Sequence, residues 1–223
     1  TENTERLSRA SVLLFGVGGV GSYCAEALVR CGIGSLTLVD GDLVNETNLN
    51  RQLIALHSTI GMYKCEAAKR RFLDINPELH AECRNEFYTA ENADAFDFAQ
   101  YDYVADAIDT VSAKLLLIER AKQAGTPVIS AMGAGNRLDP QRFEITDIYQ
   151  TKDCPLARVM RRELRARGIS ALKVVFSSEP PFLKYQEGPR IGKNIGSISF
   201  VPSAAGLTMA SEIVKDLCTF ENT

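Results

Sequence analysis

Short apolar runs alternate along this chain with longer segments whose apolar residues return every three or four positions. The runs at 11–15, 35–39, 103–107 and 127–131 have the length and largely apolar character of strands buried on both faces, and the more polar 80–83 is a further predicted strand. Between them, 20–31, 62–75, 90–99 and 112–124 carry helical spacing. Breaks fall where helices stop: Gly32 and Gly34 after the first, Asn76-Pro77 after the second, Gly125 after the fourth. Strands alternating with helices predict parallel pairing, because each crossover carries a helix across a sheet face. The expected fold class is α/β, a Rossmann-like doubly wound, mainly parallel sheet with helices on both faces. Segments 143–149, 172–176 and 197–201 are further predicted strands, and 158–167 and 204–217 further helices. A long connection is expected over 179–194.

Composition narrows this only where it is unusual. A chain of 223 residues can bury a sizeable core as one domain. No run approaches the roughly 18 uncharged apolar residues of a membrane span, and Thr1-Glu2-Asn3-Thr4-Glu5 does not open a signal peptide. The six cysteines (Cys24, Cys31, Cys65, Cys83, Cys154, Cys218) form no C-x-x-C pair. They predict reduced thiols, a cytoplasmic location and no zinc site. Net charge is −3, yet residues 151–176 hold seven cations against two acids. Arg158, Arg161, Arg162 and Arg165 recur at i, i+3, i+4 and i+7, one stripe on a helix. Such a stripe suits a nucleic-acid backbone, or is simply a solvated face.

The chemistry concentrates after the first strand. Gly16-Val17-Gly18-Gly19-Val20-Gly21 opens a helix directly after an apolar run, so backbone N–H groups can approach a phosphate at the helix N-terminus. A turn that serves only packing is the plainer alternative. Asp40 ends the second strand, where a carboxylate reaches ribose hydroxyls or caps a loop. Asn48, Arg51, Gln52 and Lys64 follow, a cationic cluster suited to a triphosphate rather than to a nicotinamide dinucleotide. Arg51 could instead pair with Asp42 or Glu46, and Lys64 could simply be exposed. Asp106 and Asp109 lie at the carboxyl end of the fourth strand, where a carboxylate can hold Mg²⁺ against phosphates. Asp109 could equally cap the next helix.

These motifs, with Thr47-Asn48-Leu49-Asn50-Arg51-Gln52, Gly61-x-x-Lys64 and Asp106-Ala107-Ile108-Asp109, resemble the adenylation domain of the ubiquitin-activating superfamily (ThiF/MoeB/HesA type). Within it the chain is most similar to the tRNA threonylcarbamoyladenosine dehydratase (TcdA/CsdL) branch. Ala25-Glu26-Ala27-Leu28, Gly32-Ile33-Gly34, Pro155-Leu156-Ala157, Phe176-Ser177-Ser178-Glu179 and Phe200-Val201-Pro202 carry that likeness across essentially the whole chain. The resemblance implies a single adenylation domain over 1–223, with a nucleotide-binding half (1–135) and a substrate-side, dimerising half (136–223). It implies ATP and Mg²⁺ as cofactors, with Gly18, Gly19, Gly21, Asp40, Asn48, Arg51, Gln52, Lys64 and Asp109 at the ATP. Arg51, Lys64 and Asp109 would be catalytic, and Asp109 would organise the metal.

The implied reaction adenylates the threonyl carboxylate of threonylcarbamoyladenosine at position 37 of tRNA. The ureido group then displaces AMP and closes a ring, with net loss of water. An internal nucleophile needs no cysteine relay, which leaves a nucleophilic role for Cys154, the one cysteine in a crossover position, as the lesser alternative. Cys24, Cys31, Cys65 and Cys218 fall in helical patterns and are expected to be packing residues. The arginine stripe would contact tRNA. A homodimer is implied, and a sulfur-transfer protein is allowed as a partner. Family members also carry an N-terminal arm whose arginine reaches the partner's nucleotide, a task for which Arg6 and Arg9 lie too close to the first strand. The alternatives are activation of the C-terminal Gly-Gly of a ubiquitin-like sulfur carrier, and a nucleotide-binding module without turnover.

Overall fold

The computed structural model of the chain describes residues 2–182 and 196–218. Its sheet comprises β1 (Ser11–Phe15), β2 (Ser35–Val39), β3 (His80–Arg84), β4 (Tyr103–Asp106), β5 (Val128–Ala131), β6 (Phe143–Asp147) and β7 (Lys173–Ser177). The strand order is β3-β2-β1-β4-β5-β7-β6, and every pair is parallel except β6 with β7. The inner strands read as apolar runs because both their faces are covered, whereas the edge strands β3 and β6 are polar and half-exposed. Val12 and Leu14 face α1 (Glu2–Arg9), α2 (Gly21–Arg30), α3 (Lys64–Ile75) and α6 (Phe200–Leu217). Leu13 and Phe15 face α4 (Val111–Ala124) and α5 (Pro155–Ala166). The chain winds outward from β1 to β3 and then returns to lay β4 on the other side of β1. The carboxyl ends of β1 and β4 therefore form the crevice where such sheets take ligands.

Four segments depart from the sequence expectation. No helix forms at 90–99; the 3-10 turns Ala93–Ala95 and Phe98–Gln100 stand there instead. Phe96 and Phe98 both turn inward onto Phe15, with ring centroids at 5.5 and 5.9 Å. Residues two apart cannot share a helix face, so the aromatic cluster overrides the helical spacing. The expected strand at 197–201 is replaced by the start of α6, whose first turn accepts Pro202 without losing a hydrogen bond. A Cβ at Gly206 would lie 2.3 Å from the Val20 carbonyl oxygen, so glycine is what lets α6 close on α2.

Helix α1 had no apolar periodicity to reveal it: Leu7 is its one buried residue, and its carbonyl accepts Gly34 N at 2.9 Å. The strand expected over 143–149 ends at Asp147, whose carboxylate accepts Tyr149 N and caps a 3-10 turn. Most of the expected connection at 179–194 lies outside the described residues. All six cysteines are free; Cys24, Cys65 and Cys218 are buried, but Cys31 is exposed at the end of α2 rather than packed. Among the described residues no helix is long and apolar enough to cross a membrane.

Candidate active site

The glycine turn is set by the end of β1. Gly16 N donates to Val39 O (2.8 Å), and the turn then passes so close beneath itself that a Cβ on Gly21 would lie 1.8 Å from Gly16 O. Gly18 O accepts both Ser22 N (3.0 Å) and Ser22 Oγ (2.6 Å), and that hydroxyl accepts Leu53 N at 3.3 Å. Ser22 thereby pins the loop carrying Asn48, Arg51 and Gln52 against the glycines. A side chain on Gly18 would meet the Gln52 amide, and one on Gly19 would meet the Arg51 stem and Pro202.

Around this turn the loop side chains are held in distinct ways. Asn48 is buried; its Oδ1 accepts Asn45 N (3.0 Å) while Asn45 Oδ1 accepts Thr47 N, a reciprocal cap of the turn Glu46–Asn48. Arg51 folds back to donate from Nη1 to Thr47 O (2.8 Å) and Asn50 Oδ1 (2.9 Å). Neither Asp42 nor Glu46 pairs with it, and its charge is open to an anion. Gln52 is buried, with an Oε1 that accepts no hydrogen bond.

Asp40, at the end of β2, is only 9% exposed. Its Oδ2 accepts Val17 N (2.7 Å) and its Oδ1 accepts Asp42 N (2.9 Å), so each oxygen keeps acceptor capacity for a hydroxyl. Burial pushes its carboxyl up; the Lys64 charge and the two N–H groups oppose this without cancelling it. Lys64 is the first residue of α3 and is buried, not exposed. Its Nζ lies 2.6 Å from Asp42 Oδ2 and 3.9 Å from Asp40 Oδ2. Asp42 thus balances Lys64, not Arg51.

The two aspartates after β4 separate. Asp106 is fully buried, bound to Lys114 Nζ (2.9 Å), Ser130 Oγ (2.6 Å) and Ile108 N (3.1 Å), and so is unavailable to a ligand. Lys114 Nζ also donates to Ile108 O at 2.9 Å, fixing the loop that leads to Asp109. Asp109 is exposed, and among the described residues its carboxylate accepts a hydrogen bond only from Thr110 Oγ1, at 3.4 Å. Thr110 is the N-cap of α4, so Asp109 does not cap the helix. Lys114 was missed in the sequence, where a lysine reads as surface. The available signal was its place in the stripe 114, 117, 118 and 121, which is otherwise apolar.

The arginine stripe is also divided. Helix α5 buries Ala157, Met160 and Leu164, and Arg158, Arg162 and Arg165 are exposed. Arg161 leaves the set: its guanidinium donates to the Thr151 carbonyl (2.9 Å) and hydroxyl. Arg162 pairs with Glu163 at 2.7 Å, and Arg165 lies over the Tyr149 ring at 4.8 Å. Cys154 is buried at the N-cap of α5, where no incoming acyl group meets it without displacing structure.

Comparison with known proteins gives this arrangement a family. The profile described as ThiF family matches residues 1–223. The chain belongs to the ThiF family. Among curated ThiF relatives, the tRNA threonylcarbamoyladenosine dehydratase of Bacillus subtilis (strain 168) is 42% identical over 231 residues, covering 97% of this chain and 90% of that one. The Escherichia coli (strain K12) protein of the same name is 38% identical over 178 residues, or 76% of this chain and 66% of that one. The E. coli enzyme solved with ATP superposes with a TM-score of 0.87 at 33% identity, covering 97% of this chain and 88% of that one. By contrast, the adenylyltransferase and sulfurtransferase UBA4 of Vanderwaltozyma polyspora is 37% identical, and the match takes in 46% of its length.

Proposed function

We propose that this protein uses ATP to adenylate the carboxylate of threonylcarbamoyladenosine in the tRNA anticodon loop and then closes the ring with release of AMP. The observation that carries the reading is the 42% identity to a dehydratase of that name, extending over nearly the whole of both chains. The site's donors suit the nucleotide. Asp40, with spare acceptor capacity on both oxygens, takes the ribose hydroxyls. The main chain at Gly18, Gly19 and Gly21 approaches the phosphates, and Asn48, Arg51, Gln52 and Lys64 line the same wall.

Mg²⁺ is commonly held by one carboxylate together with substrate phosphates, and the exposed Asp109, bonded only weakly by Thr110 Oγ1 among the described residues, would hold it. When bound, Mg²⁺ offsets charge on the phosphate oxygens. In the first step a carboxylate oxygen attacks the α-phosphorus, the bond to the bridging oxygen breaks, and pyrophosphate leaves. Arg51 and Lys64 stabilise the charge that develops on that leaving group. In the second step the ureido group attacks the acyl carbon, its proton is lost and AMP departs with one former carboxylate oxygen.

The outward arginines of α5, Arg158, Arg162 and Arg165, supply tRNA phosphate contacts. The same reading takes the protein as a single adenylation domain, a homodimer and cytoplasmic. The test is AMP formation from ATP with tRNA bearing threonylcarbamoyladenosine, with the unmodified tRNA, and with a carrier protein ending in Gly-Gly. AMP with the modified tRNA alone is expected. AMP with the carrier alone would move the function to sulfur-carrier activation, and no AMP with any of the three would leave a binding module.

A further inference from the structure

Arg137 is the most deeply buried arginine among the described residues, 4% exposed, and no carboxylate of those residues lies within ion-pair distance of it. Its Nε donates to Gly133 O at 3.2 Å and its Nη2 to Asp153 O at 3.4 Å, both neutral carbonyls. Nη1 is buried without any partner. A guanidinium cannot shed its proton, so the positive charge is enclosed without compensation. An arrangement of that kind is costly in a resting protein, and a bound anion would remove the cost.

The surroundings point the same way. Among the described residues only two non-glycine positions have positive φ, Asn136 (+59°) and Asp153 (+52°). One immediately precedes Arg137 and the other offers it a carbonyl. Unfavourable backbone is thus concentrated at this one side chain, as it is at ligand clamps. Gly133 stands two residues beyond the carboxyl end of β5, and β5 is the neighbour of β4, whose own carboxyl end leads to Asp109. Arg137 therefore lies on the sheet edge that carries the nucleotide site, one strand further from Asp40.

We infer that Arg137 is the anchor for the substrate carboxylate, the group that attacks the α-phosphorus; this rests on the function proposed above. The two terminal nitrogens of a guanidinium match the two oxygens of a carboxylate. Nη1 is free, and the Nη2 bond to Asp153 O is at the long limit of hydrogen bonding, so it is the contact that yields as the carboxylate enters. The Nε bond to Gly133 O keeps the fork oriented. Burial selects a small planar anion over a backbone phosphodiester, for which the exposed arginines of α5 are the better placed.

The test uses the full chain as wild type, Arg137→Met and Arg137→Lys. It measures affinity for modified and unmodified tRNA with a non-hydrolysable ATP analogue, affinity for the analogue alone, and the melting temperature without ligand. Arg137→Met is expected to weaken the modified tRNA by about tenfold or more, the effect of losing one charge-assisted contact. Unmodified tRNA and nucleotide binding should not change, the melting temperature should not fall, and Arg137→Lys should recover part of the affinity. Equal binding of modified tRNA by Arg137→Met and wild type would overturn the inference. Parallel losses for both tRNAs would make the contact a phosphate, and a collapse of the ligand-free melting temperature in both variants would make it a structural clamp. Failure of the wild type itself to form AMP with modified tRNA would count against the proposed function, a result separate from any of these.

Discussion

Replacing Lys114 by Met tests the reading of the floor beneath the β4 loop. Lys114 and Asp106 are both 0% exposed, 2.9 Å apart. Without the ammonium, the Asp106 carboxylate keeps only Ser130 Oγ and Ile108 N, and the Ile108 carbonyl loses its Lys114 donor. Removing one partner of a buried pair costs about 3–5 kcal/mol, because the remaining charge is left uncompensated. For a chain of this size each kcal/mol is worth roughly 2–4 °C, so the melting temperature should fall by about 6–20 °C. Urea unfolding of wild type, Lys114→Met, Asp106→Asn and the double variant closes the cycle. Asp106→Asn/Lys114→Met should recover most of the loss, since a neutral amide keeps the bond to Ser130 without the stranded charge. Because Lys114 also fixes the loop bearing Asp109, the refolded double variant should still turn over more slowly than wild type. A Lys114→Met variant within 1 kcal/mol of wild type, or a double variant no better than the single, would refute the argument.

Other expectations follow from the same geometry. Asp40 carries a carboxyl raised by burial, so the native state holds its proton at a pH where the unfolded chain has released it. The fold gains stability from this group as pH falls through the raised value, while nucleotide affinity declines over the same window, above the range of an ordinary aspartate. Titration calorimetry across pH should show that decline in wild type and a weak, flat profile in Asp40→Asn. Arg158→Glu with Arg162→Glu should weaken tRNA binding and lower the salt slope by about two, leaving ATP affinity intact; an unchanged slope would remove α5 from the interface. Arg161→Ala should instead cost about 1 kcal/mol of stability through the lost Thr151 bonds, read by urea unfolding. Gly206→Ala, which sets a methyl 2.3 Å from the Val20 carbonyl, should destabilise by about 3 kcal/mol as α6 is pushed from α2.

What could be read from the sequence was whatever local chemistry decides. Strands β1, β2, β4 and β5 are mostly apolar because both their faces are buried, whereas β3, at the sheet edge, is polar and half-exposed. The turns between them announce themselves through glycine and proline. The ATP-site candidates stood out as polar residues at the carboxyl ends of apolar runs, and the fold does bring Asp40, Asn48, Arg51, Gln52 and Lys64 around one glycine turn. Long-range packing decided the rest. Phe96 and Phe98 broke a helical spacing to join Phe15 and Tyr88, which no local window reveals. Arg161 shares its spacing with three exposed arginines and is withdrawn by Thr151, ten residues away. Lys114 and Arg137 were invisible because a charged residue reads as surface until the structure shows it enclosed.

The central claim, that the substrate carboxylate is activated as an adenylate, is tested most directly by isotope transfer. Threonylcarbamoyladenosine in tRNA would be prepared with heavy oxygen in its carboxylate and turned over with ATP. Mass analysis of the products should find the label in the phosphate of AMP, with the tRNA lighter by one labelled water. Label in inorganic phosphate with ADP formed, or label retained in full by the tRNA, would contradict adenylation.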